Sequence, residues 1–133
     1  MDTRIIRVAD VTRTSPHIVS GLASVQTAIE EMNHHNISSL IIERRHEGDE
    51  YGIVTVRDIA AKVIAINRST ERTSVYEIMT KPVLTLNADM NVKYALRLLA
   101  RHGLSRALVI GNKELLGLVT LRDMVLSYAH IGD

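Results

Sequence analysis

The heptapeptide "GIVTVRD" at positions 52–58 returns as "GLVTLRD" at 117–123, which constrains the chain to fold as two related units. The two copies stand 65 residues apart. Upstream, Val8, Val25, Ala28, His35 and Ser38 recur as Val75, Val92, Ala95, His102 and Ser105, each 67 residues on. The two-residue difference falls where "ERRHEGDEY" is replaced by "IGNKELL". A charged connection of that kind can shorten without disturbing the strands it joins. In a chain of 133 residues neither half buries an adequate core alone, so repeats spanning 1–68 and 69–133 are expected to form one module.

The physical types repeat even where the identities do not. Val25, Ala28, Ile29 and Met32 share one helical face, as do Val92, Ala95, Leu96 and Leu99. Ser24 and Asn91 are suited to cap the two helix starts. Asn36 and Gly103, the types that best tolerate a left-handed backbone, are suited to stop them. The runs "ISSLII" and "LSRALVI" read as strands, followed by second strands in "YGIVTV" and "LLGLVTL" and by helices beginning at the heptapeptide ends. Each repeat has a short extended entry segment, "PHIV" or "PVLTL", and the polar stretch "NRSTERTSVYE" marks the boundary between them. The expected class is α/β, in two pseudo-symmetric repeats.

A threonine at a strand end with an aspartate three residues later suits a nucleotide. The Thr55 or Thr120 hydroxyl and the helix amides can donate to phosphate, and Asp58 or Asp123 can accept from both ribose hydroxyls. Glycine ahead of the strand permits close backbone approach. The same spacing also makes a capping box, which needs no ligand. Arg57 and Arg122 are placed to reach phosphate or to sit solvated at a helix surface.

Other chemistries find little support. The net charge of +1, with scattered arginines, gives no field for nucleic acid. Absence of cysteine excludes disulfides and thiolate chemistry and fits a reducing compartment. No stretch resembles a signal peptide or approaches membrane-spanning length, so a cytoplasmic protein with no membrane partner is expected. His34 and His35 point in different directions on a helix and read as lacking an i,i+4 partner of ligand type, so no metal site is expected. No nucleophile motif stands out, so no catalytic residue is assigned and the chain is not expected to be an enzyme.

On "GIVTVRD", "GLVTLRD" and the lead-in "IMTKPVLTL", nearly the whole chain resembles a tandem pair of CBS domains, the regulatory unit known as a Bateman module. That resemblance implies repeats of β-α-β-β-α type packed through their small sheets, with two clefts between them. It implies one nucleotide cleft of Thr12, His17, Ile37, Ser38, Arg106, Leu118, Thr120 and Asp123, and a second of Ile53, Thr55, Asp58, Thr80, Leu84, Leu104 and Ser105. Ser39 in the first half corresponds to Arg106 in the second, and an arginine there favours phosphate in the Asp123 cleft. With no Phe or Trp, a base would lie between aliphatic side chains.

The implied ligand is an adenine nucleotide (AMP, ADP or ATP) acting as a regulatory ligand rather than a cofactor. S-adenosylmethionine, NAD or a cyclic dinucleotide is the alternative ligand, and a ligand-free interaction dimer the alternative role. The helices after the heptapeptides are apolar nearly all round, from Ile59 to Ile66 and from Met124 to Ala129. That favours two buried faces and a homodimer, which is also the family's habit, signalling to a separate effector protein.

Overall fold

The computed structural model describes residues 5–14, 16–81 and 83–130, apart from the side chain of His130. It is a mixed α/β structure with two three-stranded sheets. By packing, the chain divides into His17–Val83 and a discontinuous unit of Met1–Pro16 with Leu84–Asp133.

In the His17–Val83 unit, β1 (Ile18–Val19) runs parallel to β2 (Ser39–Ile42), which pairs antiparallel with β3 (Gly52–Thr55). The discontinuous unit repeats the pattern with β4 (Thr85–Asn87), β5 (Arg106–Gly111) and β6 (Glu114–Thr120). In chain order the helices are α1 (Val8–Val11), α2 (Val25–His35), α3 (Val56–Ile59), α4 (Val92–His102) and α5 (Leu121–Leu126). A π-helical turn, Ala60–Ile64, continues α3, and a 3-10 turn, Ser127–His130, continues α5. A further 3-10 turn covers Val75–Glu77.

The helix signals in the sequence act as expected. Ser24 accepts from the Thr27 amide and Asn91 from that of Lys93. Asn36 and Gly103 end α2 and α4 at φ 53° and 63°. Val25, Ala28 and Met32 turn into one core, and Val92, Ala95 and Leu99 into the other. The shortened connection is a two-residue turn with Asn112 and Lys113 at φ 51° and 65°, the left-handed pair that a tight hairpin requires.

The packing units do not follow the repeat boundary at 68/69. Val8, from the first repeat, is fully buried in the core formed by Leu86, Val92, Leu99 and Met124. Its equivalent Val75 is buried with Val25, Leu40 and Val54. The amides of Val8 and Ala9 bond to Met90 and Ala88, while those of Val75 and Tyr76 bond to Ala23 and Gly21. Isolated bridges repeat the exchange, Arg7 with Asn91 and Ser24 with Ser74, then Arg13 with Leu118 and Ile53 with Thr80. Each repeat therefore lends its first segment to the other's core. The cause is that each helix start and each third strand leaves a row of backbone groups unpaired, and the borrowed segment supplies the partners.

Candidate functional site

The two heptapeptides occupy equivalent places, each carrying the end of a third strand into a helix start, yet their aspartates are held differently. Thr55 and Asp58 form a closed capping box. The Asp58 amide donates to Thr55 Oγ1 at 3.1 Å, and Asp58 Oδ2 accepts from the Thr55 amide at 3.0 Å and its hydroxyl at 3.1 Å. The other carboxylate oxygen faces Lys62 Nζ at 3.2 Å, and that ammonium also donates to the Ile78 carbonyl. The Thr55 contacts of Asp58 are those that the capping interpretation requires, and the 48% exposed Lys62 adds an ion pair to them.

Thr120 caps α5 in the same way, accepting from the Asp123 amide at 3.0 Å. The Asp123 carboxylate faces the borrowed segment, where Arg13 Nε donates to Oδ2 at 2.8 Å and Nη2 to Oδ1 at 3.4 Å. The hydrogen bond from Arg13 is the main reason that the Asp123 carboxyl lies below its usual range; burial opposes the shift, and the charge of Arg13 and contact with Thr120 add to it. Reciprocally, Asp123 raises the Arg13 guanidinium above its already high value. Arg13 is 62% exposed and Asp123 21%. The corner is thus an anionic acceptor pair held by a solvated cation.

The remaining expected residues divide between the packing units. Thr12, Arg106, Leu118, Thr120 and Asp123 share the discontinuous unit. Thr12 ends α1 and its hydroxyl donates to the Val8 carbonyl at 2.7 Å. Arg106 lies opposite Thr120 across β5 and β6, and Leu118 is the strand partner of Arg13. His17, Ile37 and Ser38 belong to the other unit. Ile37 is half-buried against that unit's core, and the Ser38 carbonyl accepts from Val56 at the start of α3.

Of the second set, Ile53, Thr55, Asp58 and Thr80 share His17–Val83, with Ile53 and Thr80 directly paired. Leu84, Leu104 and Ser105 fall in the discontinuous unit. Leu84 packs on its core, Leu104 is exposed, and the Ser105 carbonyl accepts from Leu121.

Arg13 is the site residue that the sequence reading missed. Repeat comparison aligns it with Thr80, but says nothing of which carboxylate a borrowed segment meets. The histidines also need a correction. His35 does have an i,i+4 acidic neighbour, Glu31, whose Oε2 lies 3.3 Å from His35 Nε2. His17 stacks on His35 with ring centroids 4.0 Å apart, and His34 meets His35 edge-on at 4.8 Å. Among the described residues no three acidic or histidine side chains converge as metal ligands.

The helices after the heptapeptides are not buried on two faces within the chain. Ile59, Val63 and Met124 are buried, whereas Ile64, Ile66, Val125 and Leu126 are each about half-exposed. Among the described residues no helix is long and apolar enough to cross a membrane.

The CBS domain family profile matches residues 8–65 and 75–130. An uncharacterized protein of Methanopyrus kandleri is 32% identical over 127 residues, covering 92% of this chain and 62% of its own length. A mitochondrial CBS domain-containing protein of Arabidopsis thaliana is 30% identical over 110 residues, 80% of this chain and 53% of that one. The chain thus spans little more than half the length of these two relatives. Among solved structures, the hexameric CBS-CP12 protein of bloom-forming cyanobacteria superposes with TM-score 0.89 at 33% identity, over 98% of this chain and 78% of that one.

Proposed function

The chain belongs to the CBS domain family, and from that premise we propose that it is a regulatory module that senses an adenine nucleotide at the Thr120–Asp123 corner and signals to a separate partner. One observation carries the choice of corner: the Asp123 carboxylate is held by the exposed Arg13 side chain, whereas Asp58 is held by the Thr55 amide and hydroxyl of its own cap in addition to Lys62. Releasing an exposed ion pair costs about 0.2–1 kcal/mol. Freeing the Asp58 carboxylate breaks its bonds from the Thr55 amide and hydroxyl, about 0.5–1.5 kcal/mol each, as well as the Lys62 pair. Ribose hydroxyls therefore compete more easily for Asp123.

Arg106, opposite Thr120, supports a phosphate-bearing ligand there. The half-exposed Val125 and Leu126, with Ile64 and Ile66, support self-association of copies of the chain. The hexameric cyanobacterial relative is in keeping with it. A ligand that prefers one arrangement of the repeats would shift the population towards it, which turns binding into a signal.

The Thr55–Asp58 corner favours the second role, a helix cap without a ligand, because its contacts are already satisfied. Calorimetric titration with AMP and ATP tests both assignments. We expect saturable binding that Asp123→Ala abolishes and Asp58→Ala leaves in place. No heat with either nucleotide at millimolar concentration would overturn the nucleotide assignment.

A further inference from the structure

Resting on that assignment, the geometry points to Arg13 as a built-in surrogate for ribose that makes the Asp123 corner selective for phosphorylated nucleosides. The guanidinium offers two donors to the two Asp123 oxygens, at 2.8 and 3.4 Å. A ribose diol offers the same oxygens two hydroxyl donors, so guanidinium and diol are mutually exclusive occupants. The backbone of Arg13 cannot move aside. Its amide donates to the Leu118 carbonyl at 2.9 Å, and its carbonyl accepts from the Leu118 amide at 3.2 Å. Gly117 presses so close that a Cβ there would overlap the Arg13 carbonyl oxygen. Only the side chain, 62% exposed, is free to pivot about this anchored backbone.

An incoming nucleoside must therefore expel a permanent cation and leaves it without its carboxylate. A nucleotide brings phosphate oxygens that re-pair the expelled guanidinium through charge-assisted hydrogen bonds. Selectivity for phosphate then arises from the exchange. The other repeat lacks the device. Thr80 has the same backbone pairing, with Ile53, but carries no cation, and Asp58 is closed into its own cap with the single-point ammonium of Lys62, one turn along, on its other oxygen in place of a paired donor.

The test is titration of the full chain with AMP and with adenosine, in the native protein, Arg13→Gln and Arg13→Lys, with thermal melts to confirm folding. Removing the competitor in Arg13→Gln should tighten adenosine binding roughly two- to fivefold. Losing the phosphate partner should weaken AMP roughly tenfold or more, so the preference for AMP collapses. Arg13→Lys, charged but without the paired donors, should retain part of that preference. AMP binding by the native protein with the AMP-to-adenosine ratio unchanged in Arg13→Gln overturns this role for Arg13 and leaves the nucleotide assignment standing. Failure of every folded variant to bind either ligand overturns both.

Discussion

Gly52 and Gly117 open the two heptapeptides for a reason that lies outside them. A Cβ on Gly117 would overlap the Arg13 backbone carbonyl, and one on Gly52 would sit 2.7 Å from Met79 Sδ and 3.3 Å from the Thr80 carbonyl. What comes close is the segment borrowed from the other repeat. The two sites differ in what has to yield: backbone at Gly117, and mainly a flexible thioether at Gly52. Gly117→Ala should therefore cost about 3 kcal/mol, the upper end for overpacking, and Gly52→Ala about 1 kcal/mol. Urea unfolding of the two variants checks the order, and equal losses would refute this explanation. The need for glycine was legible in the repeat; its cause was not, because each contact joins positions far apart in the chain, Gly117 to Arg13 and Gly52 to Met79 and Thr80.

At the scale of elements, the connection between β2 and β3 is longer than its counterpart, and ionic contacts hold it. Asp49 accepts from Lys81 Nζ at 2.6 Å and from the Arg45 amide at 2.9 Å. The Lys81 contact is the largest cause, ahead of the Arg45 amide, of a carboxyl held far below the usual range. A carboxyl depressed on folding adds stability above its unfolded value, near about 4, and loses it as pH falls below. Glu77 and Asp123 are shifted in the same direction. The melting temperature should thus fall below pH ~4, and Asp49→Asn should show a smaller fall than the native chain. An identical acid limb in both would exclude a contribution from Asp49. The loop was legible as a loop from its charge and glycine, whereas the partner of Asp49 depends on where Lys81 is carried by the borrowed segment.

For the whole molecule, the exchange of first segments decides which fragments hold together. Residues 17–83 contain a complete core, with Val75 and Ile78 packed on Val25, Leu40 and Val54. Residues 1–68, although a full sequence repeat of similar length, lack Val75 and Ile78 and carry Val8 without the core that buries it. A fragment of residues 17–83 should show more helix by circular dichroism and a cooperative melt, while 1–68 should melt broadly or remain unfolded. The opposite ranking would mean that the borrowed segment is dispensable.

The sequence by itself determined the local elements: two helices capped by Ser24 and Asn91 and stopped by Asn36 and Gly103, the strands between, and the threonine and aspartate at each helix start. Those features depend on residues within a turn or two of one another, and period and residue type encode them directly. Only the tertiary structure decided that the first segment of each repeat completes the other, that Asp58 closes on its own backbone, and that Asp123 meets Arg13. The physical reason is that the repeats are alike in their own patterns, and what sets Asp123 apart from Asp58, which pairs with Lys62 one turn along its own helix, is a side chain supplied across the repeat boundary.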